Sequence, residues 1–65
     1  MYRKLKGKIK EVYDTQKNFA EAMDMDYAAL NQRLNGNTQW KMSDIAKACD
    51  LLSIPQAEIH LYFFN

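Results

Sequence analysis

The stretch TQKNFAEAMDMDYAALNQRLNG, residues 15–36, decides the fold of this chain. It reads as two short helices joined by a tight turn, the second closed by Asn35-Gly36. Phe19, Ala20, Met23, Met25, Leu30 and Leu34 form an apolar set that locks the pair together, with the small Ala20 where the helices must approach closely. The second helix presents Tyr27, Ala28, Asn31 and Gln32 on a polar face. Such an arrangement is what a helix-turn-helix needs to offer a helix to the DNA major groove.

Outward from that segment, the spacing predicts three further helices. Tyr2, Leu5, Ile9, Val12 and Tyr13 recur at helical intervals, so residues 2–13 read as an amphipathic first helix. Gly7 inside it costs about 1 kcal/mol against alanine, a sign of close packing or of simple tolerance. Thr15 is suited to cap the second helix, about 16–23. Asp24-Met25-Asp26 forms the turn, with Asp26 as N-cap of the third helix, about 27–34. Ser43 is expected to cap a fourth helix, where Ile45, Ala48, Cys49 and Leu52 make one face. Pro55 fits the first turn of a fifth, followed by Ile59, Tyr62 and Phe63 at helical spacing. No strand pattern, repeat or low-complexity tract interrupts this. The predicted architecture is all-α: one domain over residues 1–65, a bundle of five short helices with the helix-turn-helix at 15–36.

Sixty-five residues lie near the lower limit for a core that folds without staples. The lone cysteine, Cys49, excludes an internal disulfide framework and fits a reducing compartment. No apolar run approaches the roughly 18 residues of a membrane span, and no signal-peptide pattern opens the chain. The expected setting is cytoplasmic, in a bacterial or phage-infected cell. Formal net charge is only +1, but its distribution is uneven. Residues 1–17 carry Arg3, Lys4, Lys6, Lys8, Lys10 and Lys17 against Glu11 and Asp14, a local excess of +4. Residues 18–65 carry an excess of −3. A basic end of this kind aims at phosphates or is simply a solvated helix face.

The pattern resembles the lambda-repressor and Cro-like (XRE-like) helix-turn-helix family, and within it short phage-type proteins. The carriers are Gln16 opening the second helix, Phe19-Ala20 in its middle, Leu30 and Leu34, and Asn35-Gly36. Ile45-Ala46 and Leu51-Leu52-Ser53-Ile54 extend the resemblance more loosely. It departs at Asp24, where the family usually has glycine in a positive-φ position. Aspartate tolerates that region better than most residues but less well than glycine, and it adds negative charge beside the third helix. The resemblance implies a sequence-specific DNA-binding regulator acting by operator occupancy on double-stranded DNA. Base contacts would fall to Tyr27, Ala28, Asn31 and Gln32 in the major groove. Backbone contacts would fall to Gln16, Lys17, Arg33, Asn35, Asn37, Thr38 and Lys41.

Catalysis finds no support in the residues. Cys49 sits on an apolar face without a partner histidine, His60 is alone, and Asp24 and Asp26 are explained by local capping. No zinc spacing, phosphate loop or triad occurs, so no cofactor, metal or small-molecule ligand is expected, and the chain is not read as an enzyme. Trp40 is read as a lid over the junction of the third and fourth helices. The tail Leu61, Tyr62, Phe63 and Phe64 carries more apolar surface than the fifth helix needs for its own side of the core. Part of it is expected to fold onto the first helix, and the rest to form a homodimer or partner surface. Two rival readings keep the fold and change the role. One is a protein-interaction module, an antirepressor or repressor-binding partner, with the acidic Asp24 and Asp26 beside the third helix and the tail as its contact surface. The other is an excisionase-like architectural factor.

Overall fold

Leu5 and Ile9, one helical turn apart, are both fully buried and anchor α1, Arg3–Tyr13. The computed structural model describes residues 1–64, and among them the remaining elements are α2 (Gln16–Ala22), α3 (Tyr27–Leu34), α4 (Met42–Leu52), a 3-10 turn (Gln56–Glu58) and α5 (Ile59–Phe63). No strand occurs among the described residues. The all-α bundle of five short helices predicted from the spacing is the observed fold. α1 lies at its centre and packs against α2, α4 and α5, while α2 packs against α3.

A single core holds these elements. Phe19 and Ala20 enter it from α2, Leu30 and Leu34 from α3, and Ile45, Ala48, Cys49 and Leu52 from α4. Tyr62 and Phe63 close it from α5. Aromatic edges line its border: Tyr13 meets Phe19 with ring centroids 5.3 Å apart, and Trp40 meets Phe63 at 5.1 Å and Tyr2 at 6.2 Å. Trp40 therefore closes the side where α1 and α5 meet, rather than lying as a lid over the α3–α4 junction. The α3–α4 loop is long enough to carry the indole across to those rings, and local spacing holds no record of that reach. Its Nε1 is the one buried side-chain polar atom without a hydrogen-bond partner among the described residues. Such a donor costs about 1–3 kcal/mol in desolvation, which the aromatic packing around it must offset.

Helix ends explain the sharp turns. Thr15 caps α2, its hydroxyl accepting the Asn18 N–H at 3.0 Å. At the other end of α2 the Met25 N–H reaches the Ala20 carbonyl at 2.9 Å and the Asp24 N–H reaches Glu21 at 3.0 Å. This is the Schellman pattern, which needs a left-handed residue, and Asp24 supplies it at φ 56°. α3 ends the same way, with Gly36 at φ 79° and bonds from Asn37 to Gln32 and from Gly36 to Arg33. The Met1 side chain lies against Gly36 at the point where a Cβ would stand. α4 ends likewise, with Ser53 at φ 56°. Three details differ from expectation, the first being that Pro55 stands in the N-cap position of the 3-10 turn, ahead of α5 rather than in its first turn. α4 begins at Met42, with Lys41 in the N-cap position, so Ser43 lies inside the first turn instead of capping it. Asp26 occupies the N-cap position of α3, but its side chain makes no capping bond.

Asp24 carries a cost that glycine would not. Asp24→Gly is expected to raise stability by about 0.5–1 kcal/mol, because relief at positive φ outweighs the added freedom of the unfolded chain. A urea titration reads this directly; a lower midpoint for the glycine variant contradicts it.

Candidate interaction surfaces

Three surfaces emerge from this arrangement. The first is the outer face of α3. Its inner residues Leu30 and Leu34 are fully buried, so the intervening positions point to solvent. Tyr27 is 47% exposed, and Ala28, Asn31 and Gln32 are exposed beside it. The Asn35 side-chain amide donates to the Asn31 side-chain oxygen at 3.3 Å, which links the last two turns. Asn35, Asn37, Thr38 and Lys41 are exposed along the loop that follows. Arg33 is different: its Nε donates to Asp44 at 3.2 Å and its guanidinium donates to the Ala29 carbonyl at 3.1 Å. Both side chains of the Arg33–Asp44 pair are mostly covered, at 13% and 20% exposure. Arg33 thus straps α3 to α4, a contact between residues eleven apart that no local pattern in the sequence announces.

Acidic groups gather at the start of α3. Glu21, Asp24 and Asp26 are all exposed around the α2–α3 turn. Lys47 reaches the same turn from α4, donating to the Met23 carbonyl at 3.0 Å. That bond occupies one of the carbonyls left open at the end of α2 and fixes α4 beneath it.

The second surface is the outer edge of α5. The tail divides by helical periodicity: Tyr62 and Phe63 are buried, whereas Leu61 and Phe64 are 38% and 65% exposed. Of Leu61, Tyr62, Phe63 and Phe64, all expected on a contact surface, Tyr62 and Phe63 belong to the core and Leu61 and Phe64 remain exposed. Tyr62 and Phe63 are drawn inward because α1 leaves its Leu5–Ile9 stripe to be covered. Lys4 lies over the Tyr62 ring, 5.3 Å from its centroid, and brings positive charge to this edge. Lys8 stands one turn further along α1, paired with Glu11 at 3.4 Å.

The third surface is a groove of about 380 Å³ between α1 and the start of α2. Lys6, Gly7, Lys10, Asp14 and Gln16 line it. Gln16 is half-buried there, and Lys17 is exposed next to it. The sequence marks each of these residues singly, but only the docking of α2 on α1 brings them together.

Chemistry-bearing groups are sparse elsewhere. Cys49 is a free, buried thiol, and burial, with the Asp50 charge adding to it, pushes its pKa above the ordinary value. A thiol held protonated is a poor nucleophile. His60 is exposed on α5. No group of His, Cys, Asp and Glu among the described residues is arranged to hold a metal ion, and no helix is long and apolar enough to cross a membrane.

Comparison with known proteins gives two positive findings. The chain superimposes on the solution structure of the modulator of repression of the temperate bacteriophage TP901-1 from Lactococcus lactis, with a TM-score of 0.88 and 41% sequence identity. The alignment covers 98% of this chain and 86% of that one. No curated protein sequence matches it. The family model described as "Protein of unknown function (DUF739)" matches residues 1–65. The chain is a member of the DUF739 family, and its fold is that of a phage modulator of repression.

Proposed function

We propose that this protein is a phage-type modulator of repression that works by binding a repressor protein. The carrying observation is its 41% identity and 0.88 TM-score to the bacteriophage modulator over 98% of its length. Surface chemistry supports a protein partner. Leu61 and Phe64 offer an apolar edge with Lys4 beside it, the mixture of an apolar anchor and a polar rim on which protein interfaces are built. A formal net charge of +1 and the exposed Glu21, Asp24 and Asp26 beside α3 are poorly suited to driving a duplex into contact there. The setting would be the cytoplasm of a phage-carrying bacterium.

The test is calorimetry of the purified chain against purified repressors of temperate phages, beside gel retardation with duplex DNA. A repressor binding at nanomolar concentration is the expected result. Phe64→Asp should weaken that complex about 30-fold or more, as loss of an interface anchor worth at least about 2 kcal/mol does. Failure of every repressor to bind removes this reading, and an unchanged affinity for Phe64→Asp moves the contact away from α5.

A second reading keeps the lambda-repressor and Cro-like role. Its support is the exposed face carrying Tyr27, Ala28, Asn31 and Gln32, whose side-chain amides are of the kind that bond adenine edges. Under it, Gln32→Ala would cost about 1–3 kcal/mol at one base position and little elsewhere. Equal loss on all sequences would deny base reading by Gln32.

A further inference from the structure

Three locally unfavourable choices meet at the groove between α1 and α2. Gly7 occupies the interior of α1, where glycine weakens a helix. No neighbour stands within 4 Å of the position its Cβ would take, so internal packing does not demand the glycine. Lys6 and Lys10 stand one turn apart on the same helix, a like-charge pair that repels. Asp14 adopts φ 71° and ψ −48°, with the Thr15 N–H bonded to the Tyr13 carbonyl at 2.8 Å. That is the strained γ-turn, rare outside glycine. All three border one groove, together with Gln16. Local rules broken together in one place mark a site better than any one broken alone.

The charges define what would enter. Of the six basic residues in 1–17, Lys4 lies over the Tyr62 ring and Lys8 pairs with Glu11. Among the described residues Arg3, Lys6, Lys10 and Lys17 have no such internal engagement, and Asp14 subtracts only one charge from them. Arg3, Lys6 and Lys10 follow one another at helical spacing along the same side of α1, with Gly7 between them. The groove offers no large exposed apolar residue, so a protein segment would find no anchor there. A polyanionic strand needs none, because release of its counterions supplies the affinity. Gly7 leaves the helix backbone bare, which allows close approach.

We infer that this groove grips the phosphate backbone of duplex DNA without reading its sequence, so that α1, and not α3, faces the nucleic acid. The contact is separate from the repressor-binding surface on α5 and stands or falls independently of it.

The experiment is an amide chemical-shift titration of the full chain with a 20-base-pair duplex of arbitrary sequence at about 50 and 200 mM salt. The shifts are expected at Arg3, Lys6, Gly7, Lys10 and Gln16. With three phosphates neutralised, affinity should fall about 40-fold between the two salt concentrations. The double variant Lys6→Gln with Lys10→Gln should reduce the logarithmic salt slope by about 2. Gly7→Ala is expected to raise the melting temperature, since the space for a Cβ is open, and yet weaken the duplex contact at least fivefold. Shifts centred instead on Tyr27, Asn31 and Gln32 overturn the inference, as does the absence of shifts at the lower salt. So does undiminished binding by the double lysine variant or by Gly7→Ala. A polyglutamate peptide that binds the groove as tightly as the duplex would assign it to an acidic protein.

Discussion

Phe19→Ala is expected to leave this chain largely unfolded at 25 °C. Phe19 is completely buried and joins the core beneath α1 with its ring against Tyr13. Removing a buried phenylalanine costs about 3–5 kcal/mol through lost transfer energy and the cavity left behind. At about 0.05–0.15 kcal/mol per residue, a domain of this size holds about 3–10 kcal/mol in total. The loss is thus comparable to the whole stability. The core has little means of collapsing onto the gap, because Leu5, Ile9 and Leu30 are already fully buried on their own helices. Circular dichroism at 222 nm and a urea titration read the outcome. Phe19→Leu keeps most of the volume and should remain folded with a lower midpoint. A cooperative, near-wild-type transition for Phe19→Ala would show that the α1–α2 contact matters less than its burial indicates.

How much of this architecture was legible in advance depends on how local its causes are. The cores of α2 and α3 follow from spacing alone, since Phe19, Leu30 and Leu34 recur on the helical period and have no polar competitor. Thr15 and Gly36 announce their ends because a hydroxyl cap and a glycine at positive φ are residue-specific devices. Ser53 performs the same task as Gly36 without looking the part, and nothing in its neighbourhood distinguishes it from an ordinary serine. Contacts between distant segments were the hardest to foresee. Trp40 crosses to Tyr2 and Phe63, and Arg33 reaches Asp44, because α4 and α5 dock where they do. The same holds for the candidate surfaces. The polar face of α3 follows from periodicity, whereas the groove of Lys6, Gly7, Lys10 and Gln16 exists only once α2 lies on α1. The division of the tail into buried Tyr62 and Phe63 and exposed Leu61 and Phe64 depends on which stripe of α1 lacks cover.

That division makes Phe63→Ala the variant that separates fold from function. Phe63 is 5% exposed and meets Trp40 edge-on, so its loss costs about 3–5 kcal/mol by the same cavity reasoning. The consequence should differ from that of Phe19→Ala. α5 is only five residues long, far too short to persist without tertiary support. Once Phe63 is gone, Tyr62 is the remaining fully docked residue of that helix, so α5 is the first element expected to detach. α1 to α4 keep Phe19, Leu30, Leu34, Ile45 and Leu52 and should stay helical, though less stable. Hydrogen exchange then shows protection lost at Ile59–Phe63 and retained across α2 and α3. Because Leu61 lies on that helix and Phe64 directly follows it, repressor binding should fall with it, while the α1 groove keeps its response to duplex DNA. If exchange instead rises uniformly along the chain, α5 belongs to one cooperative unit with the rest. If α5 detaches and a repressor still binds undiminished, the contact surface lies elsewhere than at the C-terminal edge.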